Sequence, residues 1–535
     1  MSNRDLDEAW RYHNATKHST ESVRADRHTL DWANQPRTRK IYRNLETFPL
    51  PRDLSGSEIP ALSAISGTSM APGGGAVPDL QCLTYILFLS AGITKRQPYP
   101  GGEIAFRAAS CTGALYEIDL YVVCQDLPGL DAGVYHFDPA DFVVRLLRKG
   151  DHRGVLVRAS ADEDAIRHAP VTIVCTGTYW RNAWKYRART YRHFGWDNGT
   201  ILANMLAAAV ARRVPARVIC GFIDDAVNGL LALEIEREVA FSMVALGQTE
   251  PAAPDPPAVE TLRLETVPAS RSEVDYPLMR RMHAASSLNS EREVRQWREA
   301  ANAIAAQAAR TEEAGSGRTP QMVDANGRVA LRPTNDAALA QDRLEDVIIR
   351  RGSTRQFQRG ATWSFEELST ALVRAMGPIP ADFLGTGARA AGRVTEPLLN
   401  DLYLIVHGVD DLPPGAYVLR RGRLALERLK EGDFREEAGF LGLGQVLPAD
   451  ASVVGFFLID LRAVLDRLGN RGYRAAQLEA GILGGRLYLT AYAQRLGASG
   501  LTFYDDDVVS FFSPHAAGKS TVFCMVLGKS VRARS

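Results

Sequence analysis

The sequence repeats one segment, and this repeat limits what the chain can fold into more than any other feature. Residues Asp119 to Tyr135 align with Asp401 to Tyr417, an offset of 401 − 119 = 282. The same offset, without a gap, also aligns three later segments: Tyr191-Arg192 with Tyr473-Arg474, Arg213 with Arg495, and Asp224-Asp225 with Asp506-Asp507. The alternative is a chance similarity of two strand-turn-strand units. A register held over this length predicts two domains of one fold within the chain.

The composition around the two copies indicates where the domains begin and end. A-A-P-D-P-P opens a segment between them, an Ala- and Arg-rich helical pattern covers Ser290 to Arg310, and G-S-G-R-T-P follows, which is typical of a linker. Tyr12 to Thr16 has a looser echo in Met282 to Ser286. We predict a polar leader at residues 1–60, a first domain at 61–247, a linker with one helix at 248–342, and a second domain at 343–530.

Each copy has the hydrophobic pattern of a mixed α+β unit. Short apolar runs bounded by Gly, Pro or Asp predict buried strands at Leu120 to Cys124, Val171 to Cys175 and Phe456 to Ile459. Apolar residues every three or four positions predict helices at Asn198 to Arg212, Phe365 to Met376 and Ala480 to Arg495. The predicted fold class is therefore α+β.

Charge and cysteine usage exclude several classes of protein. Lys and Arg total 63 against 62 Asp and Glu, so the net charge of +1 creates no global field toward nucleic acid or an anionic membrane. The longest apolar run, Leu83 to Ile93, is shorter than a membrane span, and the polar first thirty residues predict no signal peptide. The six cysteines form no C-x-x-C motif, so we expect no metal site and no disulfide framework. We expect a cytoplasmic location.

One basic segment is a candidate phosphate site. In Ile349 to Phe357, three guanidiniums and a hydroxyl precede a predicted helix, and guanidinium forks bind phosphate oxygens bidentately. The alternative interpretation is a solvated basic turn. Ala517 to Thr521 imitates the end of a P-loop, but an apolar strand follows it where a helix is required. Gly439 to Gly444 lacks the dinucleotide-binding spacing.

These residues resemble the nitroreductase-like flavoproteins, and within them the SagB/ThcOx-type azoline dehydrogenases, in several motifs. The matching segments are Arg350 to Arg355 with R-R-S-x-R, Phe106 to Glu117 with P-S-A-G-A-L-Y-P, Ile219 to Asp225 with G-F-D-D, Lys185 to Arg192 with K-Y-G-x-R-x-Y-R, and Tyr12 to Ser19 with Leu30 to Pro36 for the tandem members. Ala109, Cys111 and Glu117 depart from the Pro, Ala and final Pro of the second motif. The resemblance implies two nitroreductase-like domains in tandem that form a pseudo-dimer within the chain.

The resemblance also implies an FMN site built from both domains. Its implied cofactor-binding residues are Arg350, Arg351, Ser353 and Arg355 from domain 2 and Ser110, Cys111, Thr112, Gly113, Ile219, Cys220 and Gly221 from domain 1, with Lys519 as a further phosphate contact or else a solvated lysine. A second, reciprocal site would use the equivalent residues with the roles of the two domains exchanged. There the repeat alignment puts Ile65, Ser66 and Met70 in place of the arginines, Val394-Thr395 in place of Thr112-Gly113, and Arg467-Leu468 in place of Lys185-Tyr186. We therefore expect one working flavin site per chain.

The implied activity is dehydrogenation of a thiazoline or oxazoline to an azole, in a modified peptide or related natural product. Oxygen would accept the electrons, and other biosynthetic enzymes are expected partners. The resemblance points to Lys185 and Tyr186 as the catalytic pair, and the alternative for them is an exposed helix start. A lysine titrates near ~10.4, so Lys185 acts as a base only if its surroundings lower its pKa. Two other functions stay open: an NAD(P)H-dependent nitro or quinone reductase, and an inactive flavin- or peptide-binding protein.

Overall fold

The computed structural model describes residues 2–54, 56–67, 76–100, 102–313, 327–335, 338–385, 389–390, 393–394 and 398–531. Over these residues the chain forms two seven-stranded antiparallel sheets with helices packed around them. No helix in the described part of the chain is long and apolar enough to cross a membrane.

The helices and strands up to residue 246 belong to the leader and the first domain. The helices are α1 (Leu6–Ala15), α2 (Thr20–Ala25), α3 (Ala61–Ser66), α4 (Leu80–Ala91), α5 (Arg153–Ala159), α6 (Asp164–Arg167), α7 (Tyr179–Tyr186), α8 (Thr190–Ala211) and α9 (Asp224–Leu230). The strands are β1 (Thr47–Pro49), β2 (Ile93–Tyr99), β3 (Gly102–Arg107), β4 (Ile118–Cys124), β5 (Gly133–Asp138), β6 (Val143–Lys149), β7 (Val171–Thr178), β8 (Ala216–Ile219) and β9 (Glu238–Leu246).

The remaining elements belong to the linker and the second domain. The helices are α10 (Pro277–Ala285), α11 (Glu291–Glu313), α12 (Leu344–Arg350), α13 (Phe365–Ala375), α14 (Arg435–Leu441), α15 (Val446–Asp450), α16 (Leu461–Leu468), α17 (Asn470–Ala493) and α18 (Asp505–Phe512). The strands are β10 (Arg328–Ala330), β11 (Arg389–Ala390), β12 (Arg393–Val394), β13 (Asp401–Val406), β14 (Gly415–Arg420), β15 (Ala425–Glu431), β16 (Val453–Ile459), β17 (Gly497–Leu501) and β18 (Ser520–Gly528).

The two sheets have the same topology. The strand order is β1-β6-β5-β4-β7-β9-β8 in the first sheet and β10-β15-β14-β13-β16-β18-β17 in the second. Irregularities in the pairing also repeat: the register shifts after Val134 and after Ala416, and again after Cys175 and after Phe457. Both pairs are 282 residues apart, so the repeat read from the sequence extends to details of the backbone. β1 lies in the predicted leader and β10 in the predicted linker, so each sheet takes a strand from outside the boundaries we predicted.

The two long helices α8 and α17 cross at the centre of the molecule. A Cβ placed on Gly199 would lie 2.5 Å from backbone atoms of Gly481, and a Cβ on Gly481 would lie 2.9 Å from the Cα of Gly199. The two glycines are equivalent positions of the repeat, since 481 − 199 = 282. The pseudo-twofold axis therefore passes between them, and only residues without side chains allow the backbones to approach this closely.

The helices α1 and α10 each contact the long central helix of the opposite half of the chain. His13 of α1 lies 3.3 Å from the hydroxyl of Tyr473 in α17, and His283 of α10 lies 3.3 Å from the hydroxyl of Tyr191 in α8. The echo between Tyr12 to Thr16 and Met282 to Ser286 thus marks equivalent helices. The second repeat begins inside the segment that composition identifies as a linker.

Two expectations about the central helices and the register require correction. α8 and α17 begin eight and ten residues before the predicted starts, because almost every residue in them is buried and the apolar periodicity is hidden. The offset of 282 holds for Arg213 and Arg495, which both have a left-handed backbone, and for Ile219 and Leu501 at the ends of β8 and β17. Beyond them the equivalent of Asp224 is Asp505, not Asp506. Asp224 forms ion pairs with Arg471 and Arg474. Asp505 forms the same ion pairs with the equivalent arginines, Arg189 and Arg192.

Candidate functional site

Arg351 joins the two domains at the candidate site. It follows α12, and its Nε donates to the carbonyl oxygen of Ala108 at 3.0 Å while its Nη2 donates to that of Arg107 at 3.2 Å. Its guanidinium carbon also lies 5.6 Å from the centre of the Tyr488 ring. Burial lowers the pKa of Arg351, but the group remains cationic at any working pH. A positive charge from domain 2 is thereby held against the first-domain segment that precedes Ser110.

A second set of contacts links the same loop to the end of α17 and to β17. The Ser353 hydroxyl lies 3.2 Å from the hydroxyl of Tyr488, which also accepts the backbone N–H of Gly500 at 2.6 Å. Thr502, two residues further on, has a buried Oγ1 with no partner among the described residues. A buried polar atom without a partner is costly to the fold. The Thr502 hydroxyl is therefore available to a bound molecule.

The other basic residues predicted for this site are placed differently. Arg350 is engaged by Asp342 at 2.6 Å, and Arg355 is exposed and close enough to Tyr186 to influence the pKa of its hydroxyl. Lys519 forms an ion pair with Asp401 at 2.6 Å at the start of β18. The loop carrying Ser353 lies near the other end of that strand, ~25 Å away at ~3.3 Å per residue. The structure therefore does not bring Lys519 to residues 351–357, which we call the basic loop.

A different lysine lies beside the basic loop and was missed in the sequence. Lys529 directly follows β18, and its carbonyl oxygen accepts the backbone N–H of Gln358 at 2.8 Å. The next residue, Ser530, pairs with Phe357, and the Lys529 side chain is exposed. No local pattern connects residue 529 with residue 357, and only the pairing of the chain end with the loop reveals this position.

Ser110 to Gly113 form a tight turn over α8. The carbonyl of Ser110 accepts the Thr200 hydroxyl at 2.7 Å, and the Thr112 hydroxyl donates to Asp197 at 2.9 Å. Gly113 has φ +66°, and a Cβ there would lie 2.9 Å from the Tyr186 hydroxyl. Glycine is therefore required both by the backbone conformation and by the approach of this tyrosine.

Two carboxyl groups lie beneath this turn. The Cys111 sulfur is 3.3 Å from Glu117 Oε2 and 3.4 Å from Asp197 Oδ2. Burial, together with the neighbouring Glu117, raises the pKa of Asp197 well above its ordinary value, and burial raises the pKa of the Cys111 thiol. Sequence reasoning noted Glu117 only as a departure from a motif and missed Asp197, because the predicted helix began one residue after it.

The predicted catalytic pair lies at the end of α7, beside the turn. Lys185 is exposed, and its Nζ lies 5.3 Å from the centre of the Tyr186 ring. Tyr186 is half-buried, and burial raises the pKa of its hydroxyl. Its ring meets His193 edge-on at 4.7 Å between centroids, and the Nδ1 atom of His193 lies 2.8 Å from Asn182 Oδ1. Burial lowers the pKa of His193, so this imidazole is neutral and its Nδ1–H donates to the amide oxygen.

The structure does not bring Ile219, Cys220 and Gly221 to the basic loop. Arg471, at the start of α17, donates to the Cys220 carbonyl at 2.7 Å, whereas Arg351 packs on Tyr488 near the helix end. These two helix positions are 488 − 471 = 17 residues apart, or ~25 Å at ~1.5 Å per residue. The expectation placed this segment on the wrong side of the pseudo-twofold axis. Its equivalent, Leu501 to Phe503, lies at the basic loop instead.

The segment 219–221 lies on the side of the reciprocal site, where two residues of the same chain contact it. The backbone N–H groups of Cys220 and Gly221 donate to the two oxygens of Asp382, each at 2.8 Å. A Cβ on Gly221 would lie 2.8 Å from the ring of Trp297, which belongs to α11. Of the residues expected to replace the arginines, Ile65 and Ser66 lie in α3, and Met70 lies outside the described residues, as does Thr395.

Comparison with known proteins agrees with this architecture. The Nitroreductase family model matches residues 103–248. The "Putative nitroreductase" of Methanocaldococcus jannaschii is 26% identical over 157 residues, which are 29% of this chain and 75% of that protein. A crystal structure of a "putative nitroreductase" from Anabaena variabilis is 25% identical and covers 98% of this chain and 99% of its own, with a TM-score of 0.72.

A chain of the E. coli microcin synthetase McbBCD complex with truncated pro-MccB17 bound covers 46% of this chain and 93% of its own, at 18% identity and a TM-score of 0.30. An overlay of this extent supports no inference about a substrate. The Anabaena match extends over both halves, and the two sheets have one topology, so the predicted tandem fold is confirmed. Residues 103–248 match the Nitroreductase family model, and the described residues of the two halves fold as two nitroreductase-like domains in tandem.

Proposed function

We propose that the protein is an FMN-dependent oxidoreductase with one flavin site per chain, formed by the basic loop of domain 2 and the Ser110 to Gly113 turn of domain 1. The observation that carries this proposal is Arg351, whose guanidinium binds the first-domain backbone immediately before that turn. The nitroreductase family typically binds flavin, which supports the choice of cofactor.

The residues present fit FMN. One loop carries the half-buried Arg351, the Ser353 hydroxyl and the exposed Arg355, and the exposed Lys529 lies beside it. These donors are suited to a phosphate. Thr502 contributes a buried hydroxyl that lacks a partner among the described residues. The absence of a side chain at Gly113 lets the Tyr186 hydroxyl approach the turn closely. Lys519 has no part in this set.

We propose further that the substrate is a thiazoline or oxazoline ring in a modified peptide or related natural product. Bound FMN would supply the hydride acceptor. Removal of a ring proton then requires a base, and the resemblance to azoline dehydrogenases assigns this role to Lys185 with Tyr186. Lys185 is exposed and pairs with no acid among the described residues, so its amine is free to reach a substrate. Tyr186 keeps its phenolic proton at neutral pH, because burial raises its pKa, and therefore acts as a hydrogen-bond donor.

Two measurements test this proposal. Purified full-length protein should release about one FMN per chain, because the segment 219–221 of the reciprocal site is engaged by Asp382 and Trp297. A value near two would contradict the single site, and a colourless protein that cannot be reconstituted would favour a binding protein without turnover. The flavin-loaded protein should oxidise azoline peptides with oxygen. Steady turnover of nitro compounds or quinones with NAD(P)H, without azoline oxidation, would favour the reductase.

A further inference from the structure

Two positions where this chain departs from the P-S-A-G-A-L-Y-P segment meet in the folded protein. Cys111 and Glu117 replace an Ala and a Pro of that segment, and the Cys111 sulfur lies 3.3 Å from Glu117 Oε2. Asp197, from α8, completes the group with Oδ2 at 3.4 Å from the same sulfur. Glu117 is fully buried and Asp197 is 4% exposed. We call these three residues the thiol-carboxylate cluster.

Neither carboxylate of the cluster has an ion-pair partner among the described residues, and the buried Arg107 beside the cluster donates to the carbonyl oxygens of Ile118 and Thr38. One thiol carries one proton and can donate to one carboxylate at a time, yet two carboxylates lie within contact distance of it. The nearby Arg181 pairs with Asp119 at 2.9 Å, and no basic side chain in the described part of the chain forms an ion pair with either cluster carboxylate. The second oxygen of Glu117, Oε1, is buried and has no partner there either. Buried acids are stabilised either by keeping a proton or by a bound cation.

The surroundings orient the three groups as ligands. The backbone N–H of Tyr116 donates to the Cys111 sulfur at 3.0 Å and holds this side chain in place. The N–H and hydroxyl of Thr112 donate to Asp197 at 2.9 to 3.0 Å and fix its rotamer. Ala114 and Tyr116 hold left-handed backbone conformations at φ 54° and 53°. Non-glycine residues keep such conformations mainly where the surrounding structure enforces them, often at ligand clamps.

We propose that the thiol-carboxylate cluster binds one divalent transition-metal ion of the zinc type. Zinc accepts mixed sulfur and oxygen ligands, and bond lengths of ~2.3 Å to sulfur and ~2.1 Å to oxygen at tetrahedral angles place the two donors ~3.6 Å apart. The observed separations are 3.3 and 3.4 Å. A cavity of ≈ 10 Å³, about the size of one water molecule, is lined by Cys111, Asp197 and the buried Arg107, and it accommodates a fourth, water ligand.

The metal content of the holoprotein tests this proposal independently of the proposed oxidoreductase function. Full-length flavin-loaded protein is equilibrated with Zn²⁺, passed through metal-free buffer and analysed by mass spectrometry for zinc and by absorbance for flavin. We expect about one zinc per chain. In the Cys111→Ser/Glu117→Gln double variant we expect zinc to fall at least ~10-fold. Cys82→Ser, which changes a cysteine outside the cluster, is the control and should retain the metal.

X-ray absorption of the wild-type protein provides a readout that does not depend on the folding of a variant. The spectrum should show one sulfur at ~2.3 Å and two or more oxygens at ~2.0 Å from zinc. Wild-type protein that retains no zinc would overturn the proposal and leave the two carboxylates sharing a proton. Zinc that persists in the double variant, or a spectrum without a sulfur ligand, would also overturn it.

Discussion

The crossing of α8 and α17 makes the most quantitative prediction. In Gly199→Ala the new Cβ would lie 2.5 Å from the backbone of Gly481 and from the N atom of Ile482. Ordinary contact begins at 3.4 Å, so the two helices must separate by at least 3.4 − 2.5 = 0.9 Å. The atoms encountered belong to the backbone, and no side-chain rotation relieves the clash.

The free-energy change follows from two opposing effects. Overpacking in a core costs ~1–3 kcal/mol, and rigid backbone on both sides places this substitution near ~3 kcal/mol. Alanine in place of glycine within a helix stabilises the helix by ~1 kcal/mol. We therefore expect Gly199→Ala to lower the free energy of unfolding by ~2 kcal/mol.

A second glycine in the chain is the matched control. Gly229 lies in α9, and a Cβ there would meet no atom within 4 Å. Gly229→Ala should therefore raise the free energy of unfolding by ~0.5–1 kcal/mol. Both variants are compared with the wild type by denaturant unfolding, followed by circular dichroism and by flavin release.

Flavin release adds information, because the proposed flavin site lies between the two domains that these helices hold together. We expect Gly199→Ala to release flavin at a lower denaturant concentration than the wild type, and Gly229→Ala to release it at an equal or higher one. A Gly199→Ala protein with the unfolding midpoint of the wild type would refute the close crossing and the position of the pseudo-twofold axis.

Three further predictions concern single side chains. Lys185→Ala should keep flavin but lose ~10²–10⁴-fold in azoline oxidation, whereas the equivalent Arg467→Ala should leave turnover unchanged; a Lys185→Ala enzyme of normal rate would remove the base assignment. Arg355→Ala should weaken FMN binding at least ~10-fold by removing a charge-assisted contact worth ~1.5–3 kcal/mol, and Arg359→Ala, in the exposed pair with Asp450, should not; equilibrium dialysis measures both. Burial raises the pKa of Glu479 from 4.5 to about 7, so the folded state binds the extra proton between these values. Stability should fall by ~3 kcal/mol as the pH rises through this window, and unfolding curves at several pH values should lose this dependence in Glu479→Gln.

The repeat made much of the architecture predictable. An alignment at one offset implies one topology for both sheets, and Val171 to Cys175 and Phe456 to Ile459 lie in equivalent strands, β7 and β16. The starts of α8 and α17 were not predictable in this way. Sequence periodicity reports a contrast between a buried and an exposed face, and a helix buried on every side has no such contrast.

The candidate site was predictable only where one local segment supplies it. The Arg351 to Arg355 loop and the Ser110 to Gly113 turn are each short, and each carries its own signal. Cys220 was placed on the wrong side of the pseudo-twofold axis, because a sequence motif does not specify at which of the two symmetry-related sites its residues lie. The partnership of Cys111 with Asp197 depends on a helix that starts earlier than its visible pattern, and Lys529 depends on long-range strand pairing.

The contacts of Asp382 and Trp297 in the reciprocal site have a consequence for how such a protein can change over time. In an assembly of two identical chains, every substitution appears at both symmetric positions, so a carboxylate that occupies one site would occupy the other as well. Within one chain each copy varies independently. Asp382 can therefore bind the amides of Cys220 and Gly221 on one side, while at the equivalent segment, Leu501 to Phe503, the Thr502 hydroxyl has no partner among the described residues. One half is free to specialise as support, and the other can preserve the chemistry.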